Sequence, residues 1–266
     1  MKPARVLIPV GFGLNCEDET AQAFRMVGAD VDLVHLTDLF ARRHPRRIAD
    51  YQVLAMVGGF AYGDHVAGGL VLATRIRAHL QEDLGAFLAN GGRVLGICNG
   101  FQTLTRLGLL PGPERGAPVF TPTATLTNND RLGYRDAWVR VAPDPSSRCV
   151  WTRGLGVMDM PSRHGEGRFV ASSEEALLRL QANGQLALRY VDASGRPTER
   201  WPENPNGSAL GVAGVSDHTG RILGLMPHPD AFLYPWHHPD WPRRRAELEA
   251  RPPDGLALFR AGVEGD

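Results

Sequence analysis

The sequence predicts an α/β protein built on a doubly wound, mostly parallel sheet with an additional mixed β segment. Through its first half, short apolar runs alternate with segments of helical periodicity, the pattern of β-α-β units. Val53–Val57 and Val94–Ile97 are almost continuously apolar, as strands covered on both faces must be. The chain has 266 residues, 43% of them hydrophobic, enough for one large core. A single domain over 1–266 is expected, with a C-terminal extension at about 231–255.

Taken in order, Arg5–Val10 and Tyr51–Val57 read as strands bounded by glycine, and Val31–His35 as a strand following Gly28-Ala29-Asp30. Arg93–Ile97 is a strand leading into Cys98. Glu17–Met26, Leu70–Leu80 and Leu84–Asn90 carry apolar residues at helical spacing, and Asn90-Gly91-Gly92 is a helix stop. From about Pro111 to Pro205 prolines, arginines and turn residues increase, with strands expected at Ala137–Val141, Val157–Met160 and Leu186–Val191. Leu210–Val215 and Arg221–Met226 form a hairpin-like pair that ends in Met226-Pro227-His228-Pro229-Asp230. Between Ala231 and Pro253 the prolines, aromatics and Arg243-Arg244-Arg245 indicate a surface extension, after which Leu256–Val263 is a closing helix.

Composition excludes several classes of function. Lys plus Arg and Asp plus Glu both total 29, so overall charge points to neither nucleic acid nor a membrane surface. The three cysteines, Cys16, Cys98 and Cys149, are odd in number and form no C-x-x-C, and no leader-like segment opens the sequence, so a reducing, cytoplasmic setting is expected. No uninterrupted apolar stretch approaches the roughly 18 residues that span a bilayer. Lys2 is the only lysine, which leaves no amine for a Schiff base and no phosphate-loop lysine. Any ATP-dependent step is therefore assigned to another polypeptide.

The chemistry centres on Gly96-Ile97-Cys98-Asn99-Gly100, where a strand pattern meets a helical one. A nucleophile on such a turn needs small neighbours, because the backbone is strained and a carbonyl must approach closely. The helix N-terminus stabilises a thiolate and offers N–H groups to an oxyanion. A lone cysteine in an apolar run is ordinarily a small buried hydrophobe; the two flanking glycines favour the nucleophile. Among nine histidines, His228 stands out as the base because it follows a strand pattern, is fixed by two prolines and has Asp230 two residues on. Gly58-Gly59-Phe60-Ala61-Tyr62-Gly63-Asp64 follows a strand, where glycine N–H groups point into the ligand crevice and can form an oxyanion hole. Read blandly, it is a flexible turn.

Together these segments resemble the class I, triad-type glutamine amidotransferases, whose fold is flavodoxin-like. Gly13-x-Asn15-Cys16, Gly58-Gly59-Phe60-x-Tyr62-Gly63-Asp64, Cys98-Asn99-Gly100-Phe101-Gln102, His164-Gly165-Glu166-Gly167-Arg168, Asn204-Pro205-Asn206-Gly207-Ser208 and Met226-Pro227-His228-Pro229 resemble, more narrowly, the glutaminase subunits of phosphoribosylformylglycinamidine synthase in purine synthesis. The resemblance implies Cys98 as nucleophile, His228 as general base, Asp230 as its orienting acid, and Gly59 and Asn99 N–H groups as the oxyanion hole. It implies that Gln102, His164, Gly165 and Glu166 hold the amino-acid end of glutamine. It implies no cofactor on this chain, a partner synthetase subunit carrying ATP and magnesium, and leaves open a small third subunit. The family has Glu after His-Pro where this chain has Asp230, one methylene shorter.

Cys16 belongs to the family motif without being its nucleophile. His237-His238 beside Asp240 invites a metal reading, but adjacent side chains diverge, no matching spacing recurs and the hydrolysis needs no metal. A surface role is expected there. Rival readings are an amidotransferase subunit of another synthetase, a free γ-glutamyl hydrolase and a non-catalytic scaffold of a complex.

Overall fold

A computed structural model describes residues 3–113 and 119–264; residues 1–2, 114–118 and 265–266 of the expected domain lie outside the described residues. The first half alternates as read: β1 (Arg5–Val10), α1 (Glu17–Met26), β2 (Asp30–His35), α2 (Leu36–Phe40), β3 (Val53–Met56), α3 (Leu70–Ala89), β4 (Arg93–Ile97) and α4 (Asn99–Leu107). The second half contributes β5 (Ala124–Thr127), β6 (Arg135–Pro143), β7 (Met158–His164), β8 (Arg168–Ala171), α5 (Glu174–Ala182), β9 (Leu186–Tyr190), β10 (Val212–Ser216), β11 (Ile222–Leu225), α6 (Trp241–Glu249) and α7 (Asp254–Glu264).

Nine strands make one sheet in the order β2-β1-β3-β4-β11-β10-β9-β6-β7, and β5 pairs with β8 in a separate ribbon. The run β2-β1-β3-β4-β11 is parallel throughout and has the flavodoxin-like order, so ligand chemistry is expected at its carboxyl ends. The mixed β segment continues this sheet through the antiparallel pairs β11–β10, β10–β9, β9–β6 and β6–β7. This antiparallel half curls back on itself, because Ser162 near the end of β7 bridges Pro227 just beyond β11. That contact closes one wall around the carboxyl ends of β4 and β11.

Strand alternation divides the core into two layers. Pro9, Leu54 and Met56 meet Leu36, Leu39, Ile76, Leu80, Leu84, Leu104 and Leu107 from α2, α3 and α4. The residues between them, Ile8, Val53 and Ala55, are also buried and face the other side. There Phe24 of α1 packs edge-on against Phe259 of α7 and against Trp151. Each buried side chain of this size contributes about 2–3 kcal/mol of apolar burial. α3 is one continuous helix where the sequence indicated two. Leu80 and Leu84 lie one turn apart on its buried face, so the polar residues 81–83 occupy its outer side without breaking it.

The extension at 231–255 is less superficial than expected. Phe232 and Leu233 are buried, and Phe232 packs edge-on against Trp138 of β6. His238, expected at the surface, is buried too: its ring lies 4.6 Å from that of Trp138 and its Nε2 lies 3.5 Å from Asp159 Oδ2. Only its neighbour His237 is exposed. Among the described residues, no helix is long and apolar enough to cross a membrane.

Candidate active site

β4 ends at Ile97 and α4 begins at Asn99, leaving Cys98 alone to turn the chain. It does so at φ 51° and ψ −105°, a strained backbone that costs on the order of 1–3 kcal/mol for a residue with a side chain. Neighbouring elements hold it there: Cys98 N–H donates to the Leu225 carbonyl at 2.8 Å, and the Cys98 carbonyl accepts from Gln102 N–H at 3.1 Å. The glycine bracket has a steric cause. A Cβ on Gly100 would overlap the Met56 carbonyl oxygen, and one on Gly96 would stand 2.5 Å from Leu104 Cδ1. The thiol is 8% exposed and lines a cavity of about 330 Å³ at the carboxyl end of the parallel strands.

His228 reaches the same cavity from the end of β11, fixed by its N–H donating to the Pro161 carbonyl at 2.7 Å. Residues Pro229–Ala231 form a tight helical turn, and the turn carries Asp230 back beside the imidazole. Nδ1 of His228 lies 3.2 Å from Asp230 Oδ1. The contact is off-line for a hydrogen bond, and both Asp230 oxygens lack a donor, as Nε2 of His228 lacks a partner, among the described residues. Burial opposes the charged imidazolium, but the Asp230 carboxylate, helped by the Cys16 and Cys98 thiols, outweighs it and holds His228 well above its ordinary range.

The Gly58-Gly59 loop is zipped to residues 13–15: Asn15 N–H donates to the Gly58 carbonyl at 3.2 Å and Phe60 N–H to the Gly13 carbonyl at 2.8 Å. Gly59 has φ +141°, and a Cβ there would stand 2.6 Å from the Gly13 carbonyl oxygen. Among the described residues, neither Gly59 N–H nor Asn99 N–H has an acceptor, so both are available to an oxyanion.

The Asn99 side chain fastens this loop to the cysteine turn. Its Oδ1 accepts from Ala61 N–H at 3.2 Å, and its Nδ2 donates to Asp64 Oδ1 at 2.7 Å and to Gln102 Oε1 at 2.8 Å. Gln102 Nε2 in turn donates to the Glu166 carbonyl at 2.7 Å. Ala61, Asn99, Gln102 and Glu166 thus form one chain of hydrogen bonds through the three motifs. Gln102 lines the cavity as a brace whose amide is already engaged. Burial, with Glu166's charge adding to it, raises Asp64, while the hydrogen bond from Asn99 opposes the rise.

His164 also lines the cavity. Its Nδ1 lies 3.0 Å from Asn129 Oδ1, an oxygen already accepting from Gly167 N–H at 3.2 Å. An amide oxygen cannot donate, so Nδ1 carries the proton and Nε2, unpartnered in the structure, is an acceptor. Burial, aided by the charge of His228, pushes this imidazole down to about 4 and keeps it neutral. Asn206 Nδ2, from the Asn204–Ser208 motif, supports the same turn by donating to the Gly167 carbonyl at 2.8 Å. Gly165 and Glu166 complete this wall, and Glu166 Oε2 accepts from Gly68 N–H at 3.0 Å.

Three cavity residues, Asn128, Tyr134 and Arg163, escaped the sequence reading, and two of them approach the catalytic pair. Arg163 Nη2 lies 3.3 Å from His228 Nδ1, and the Arg163 carbonyl accepts from the Cys98 thiol at 3.5 Å. Tyr134 stands across the cavity, its phenol raised first by burial and further by Cys98. Both arrive through the β6–β7 hairpin, whose approach to Cys98 depends on the sheet curling back; no local pattern announces it. Cys16 is nearer the chemistry than its motif suggested. A point 2.8 Å from the His228 ring, where a Gly58 Cβ would stand, is also 3.1 Å from Cys16 Sγ and 3.6 Å from Cys98 Cβ.

A flavodoxin-like sheet with a cysteine turn after β4 and a histidine after β11 is the architecture of a class I glutamine amidotransferase. Sequence comparison agrees, for residues 3–264 match the family described as the CobB/CobQ-like glutamine amidotransferase domain. A phosphoribosylformylglycinamidine synthase subunit PurQ from Methanococcus maripaludis is 39% identical over 271 residues, covering 98% of this chain and 96% of the relative. The subunit PurQ from Dehalococcoides mccartyi is 37% identical over 264 residues, 99% and 98% of the two chains. Among solved structures, PurLQS from Thermotoga maritima matches with a TM-score of 0.71 and 25% identity over 99% of this chain and 98% of the other. The chain belongs to the family of PurQ subunits of phosphoribosylformylglycinamidine synthase.

Proposed function

We propose that this chain is the glutaminase subunit of a phosphoribosylformylglycinamidine synthase, hydrolysing glutamine to glutamate and ammonia for purine synthesis. The observation that carries the reading is a single cavity lined by Cys98 and His228 together with Arg163, His164 and Glu166. A free amino acid needs both sets. The guanidinium of Arg163 suits the α-carboxylate, while the neutral Nε2 of His164 and the Glu166 carboxylate accept from the α-ammonium. Arg163 and Asp230 both approach Nδ1 of His228, and an always-protonated guanidinium cannot accept from it. When Nδ1 carries its proton it donates to Asp230, and Arg163 turns into the cavity toward substrate.

In the reaction, the Cys98 sulfur attacks the side-chain amide carbon as His228 takes the thiol proton. The oxyanion is held by the N–H groups of Gly59 and Asn99. His228 then returns the proton to the leaving nitrogen, and ammonia departs, leaving a γ-glutamyl thioester on Cys98. Water, losing its proton to His228, cleaves the thioester to glutamate and the free thiol. The ammonia passes to a partner synthetase subunit, which binds ATP and magnesium and converts formylglycinamide ribonucleotide to its amidine. This chain has no lysine beyond Lys2 and no phosphate loop to perform that step itself.

The test is to assemble the chain with its synthetase subunit and supply glutamine labelled with ¹⁵N in the amide. Label in the amidine and an equal yield of glutamate are expected. A glutamine analogue with an electrophilic side chain should modify Cys98 alone, because Cys149 is fully enclosed and burial pushes its thiol up to about 12. Equal modification of Cys16, Cys98 and Cys149, or no release of glutamate, would overturn the reading.

A further inference from the structure

We propose that Cys16, His228 and Asp230 form a binding site for a thiophilic divalent cation of the Zn²⁺ class, and that its occupancy removes the catalytic base and stops glutamine hydrolysis. One sulfur, one ring nitrogen and one carboxylate oxygen from these three residues all lie within 4.8 Å of one another, and all three residues are buried. In a tetrahedral zinc site, bonds of 2.0–2.3 Å place ligand atoms roughly 3.5 Å apart, so side-chain adjustments of about 1 Å close the set.

The carboxylate supplies an independent observation. Among the described residues, Asp230, 1% exposed, has no hydrogen bond to either oxygen although the His228 ring stands off-line 3.2 Å away, and Nε2 of the 3% exposed His228 is likewise without a hydrogen bond. Buried acceptors without an aligned donor are costly, and the off-line imidazole leaves that direction of the carboxylate open to a cation. No bond to Cys16 is made or broken in the hydrolytic cycle, yet the Asn15–Gly58 hydrogen bond fixes the neighbouring backbone so that this thiol stays beside the base.

Thiol, imidazole and carboxylate together select a borderline-soft ion; magnesium and calcium require shells of oxygen. Binding takes Cys16 as a thiolate and His228 as a neutral imidazole, and releases to solvent the thiol proton and the extra ring proton of the imidazolium. Cys16 and His228 both line the glutamine cavity, which provides the route in and places the fourth ligand position toward Cys98 or water. The site rests on this geometry, and the glutaminase reading supplies only its consequence.

Two readouts test it. Co²⁺ added to the full chain should give a thiolate-to-metal absorption band that persists in Cys98→Ala and disappears in Cys16→Ser. In the assembled synthase, Zn²⁺ should inhibit glutamine hydrolysis reversibly. Measured against its own zinc-free rate, Cys16→Ser should need at least about 100-fold more Zn²⁺ for half-inhibition than the parent, beyond what loss of an outer-shell partner produces. Melting of Cys16→Ser and Cys16→Ala confirms that the variants fold, and the cobalt band of the parent and of Cys98→Ala decides the matter if they do not. Equal zinc sensitivity of Cys16→Ser and parent, absence of the band in the parent, or its loss in Cys98→Ala with survival in Cys16→Ser would overturn the proposal. A Cys16-dependent cobalt band in a chain that releases no glutamate would leave the site standing and defeat the glutaminase reading alone.

Discussion

His228 Nδ1 stands 3.2 Å from Asp230 Oδ1, yet neither oxygen of that carboxylate receives a hydrogen bond. The pairing is electrostatically close and geometrically loose. Asp230→Ala should slow glutamine hydrolysis by less than His228→Ala, and by less than the roughly 10⁴-fold that an orienting acid can contribute. Asp230→Glu should keep or raise the rate. Steady-state glutaminase assays of the assembled synthase decide this, and an Asp230→Ala variant as active as the parent would remove Asp230 from the triad.

Arg163 reports on substrate placement. If its guanidinium binds the α-carboxylate, Arg163→Met raises KM for glutamine by about 10- to 100-fold, the loss of a charge-assisted bidentate contact worth about 1.5–3 kcal/mol. The backbone carbonyl that accepts from Cys98 remains, so kcat should fall much less. A change confined to kcat would instead make Arg163 a partner of His228.

The buried neutral His164 makes stability depend on pH. Its folded value near 4 lies below the 6.5 of the unfolded chain, so between those pH values the unfolded state binds more protons. The associated stability is fully present above about pH 6.5 and is lost as pH falls toward 4. From 6.5 − 4 = 2.5, at about 1.4 kcal/mol per unit, the loss is of order 3 kcal/mol. His164→Gln, which can still donate to Asn129, should flatten this part of the curve in urea titrations at several pH values. An unchanged pH dependence would assign it to other groups.

The cysteine turn is sterically graded. Gly100→Ala drives a methyl into the Met56 carbonyl of a buried strand and should cost about 3 kcal/mol or more, with loss of activity. Gly96→Ala meets the end of the Leu104 side chain, which can shift, and only grazes the Gly100 backbone at 3.0 Å, so it should cost less, about 1–2 kcal/mol. Thermal melting of the two variants gives the order directly; the reverse order would mean that the turn is held differently.

Much of this was legible in the sequence because it is local. β1 to β4, the cysteine turn and the β10–β11 hairpin follow from apolar runs bounded by turn residues, and all appear near their expected positions. The elements that went unread are short or lie in turn-rich sequence. β5 and β8 are four residues each, α2 is five, and α5 is capped by Ser173 accepting from Ala176 N–H within the proline- and arginine-rich middle. The parts of the site that escaped are non-local. Arg163 reaches His228 only because β7 bridges Pro227, and Cys16 reaches it only because residues 13–15 zip to Gly58-Gly59. His238 is buried by Trp138, a residue 100 positions upstream (238 − 138) that no spacing rule connects to it.

The central claim is a division of labour in which Cys98 makes ammonia and another chain uses it. Its most direct test is amidine synthesis by the assembled synthase carrying Cys98→Ala, supplied either with glutamine or with ammonium chloride. The account predicts loss of the glutamine-dependent rate to background, with the ammonium-dependent rate equal to that of the parent complex. Retention of glutamine-dependent synthesis, or loss of both rates from a complex that still assembles, would contradict it.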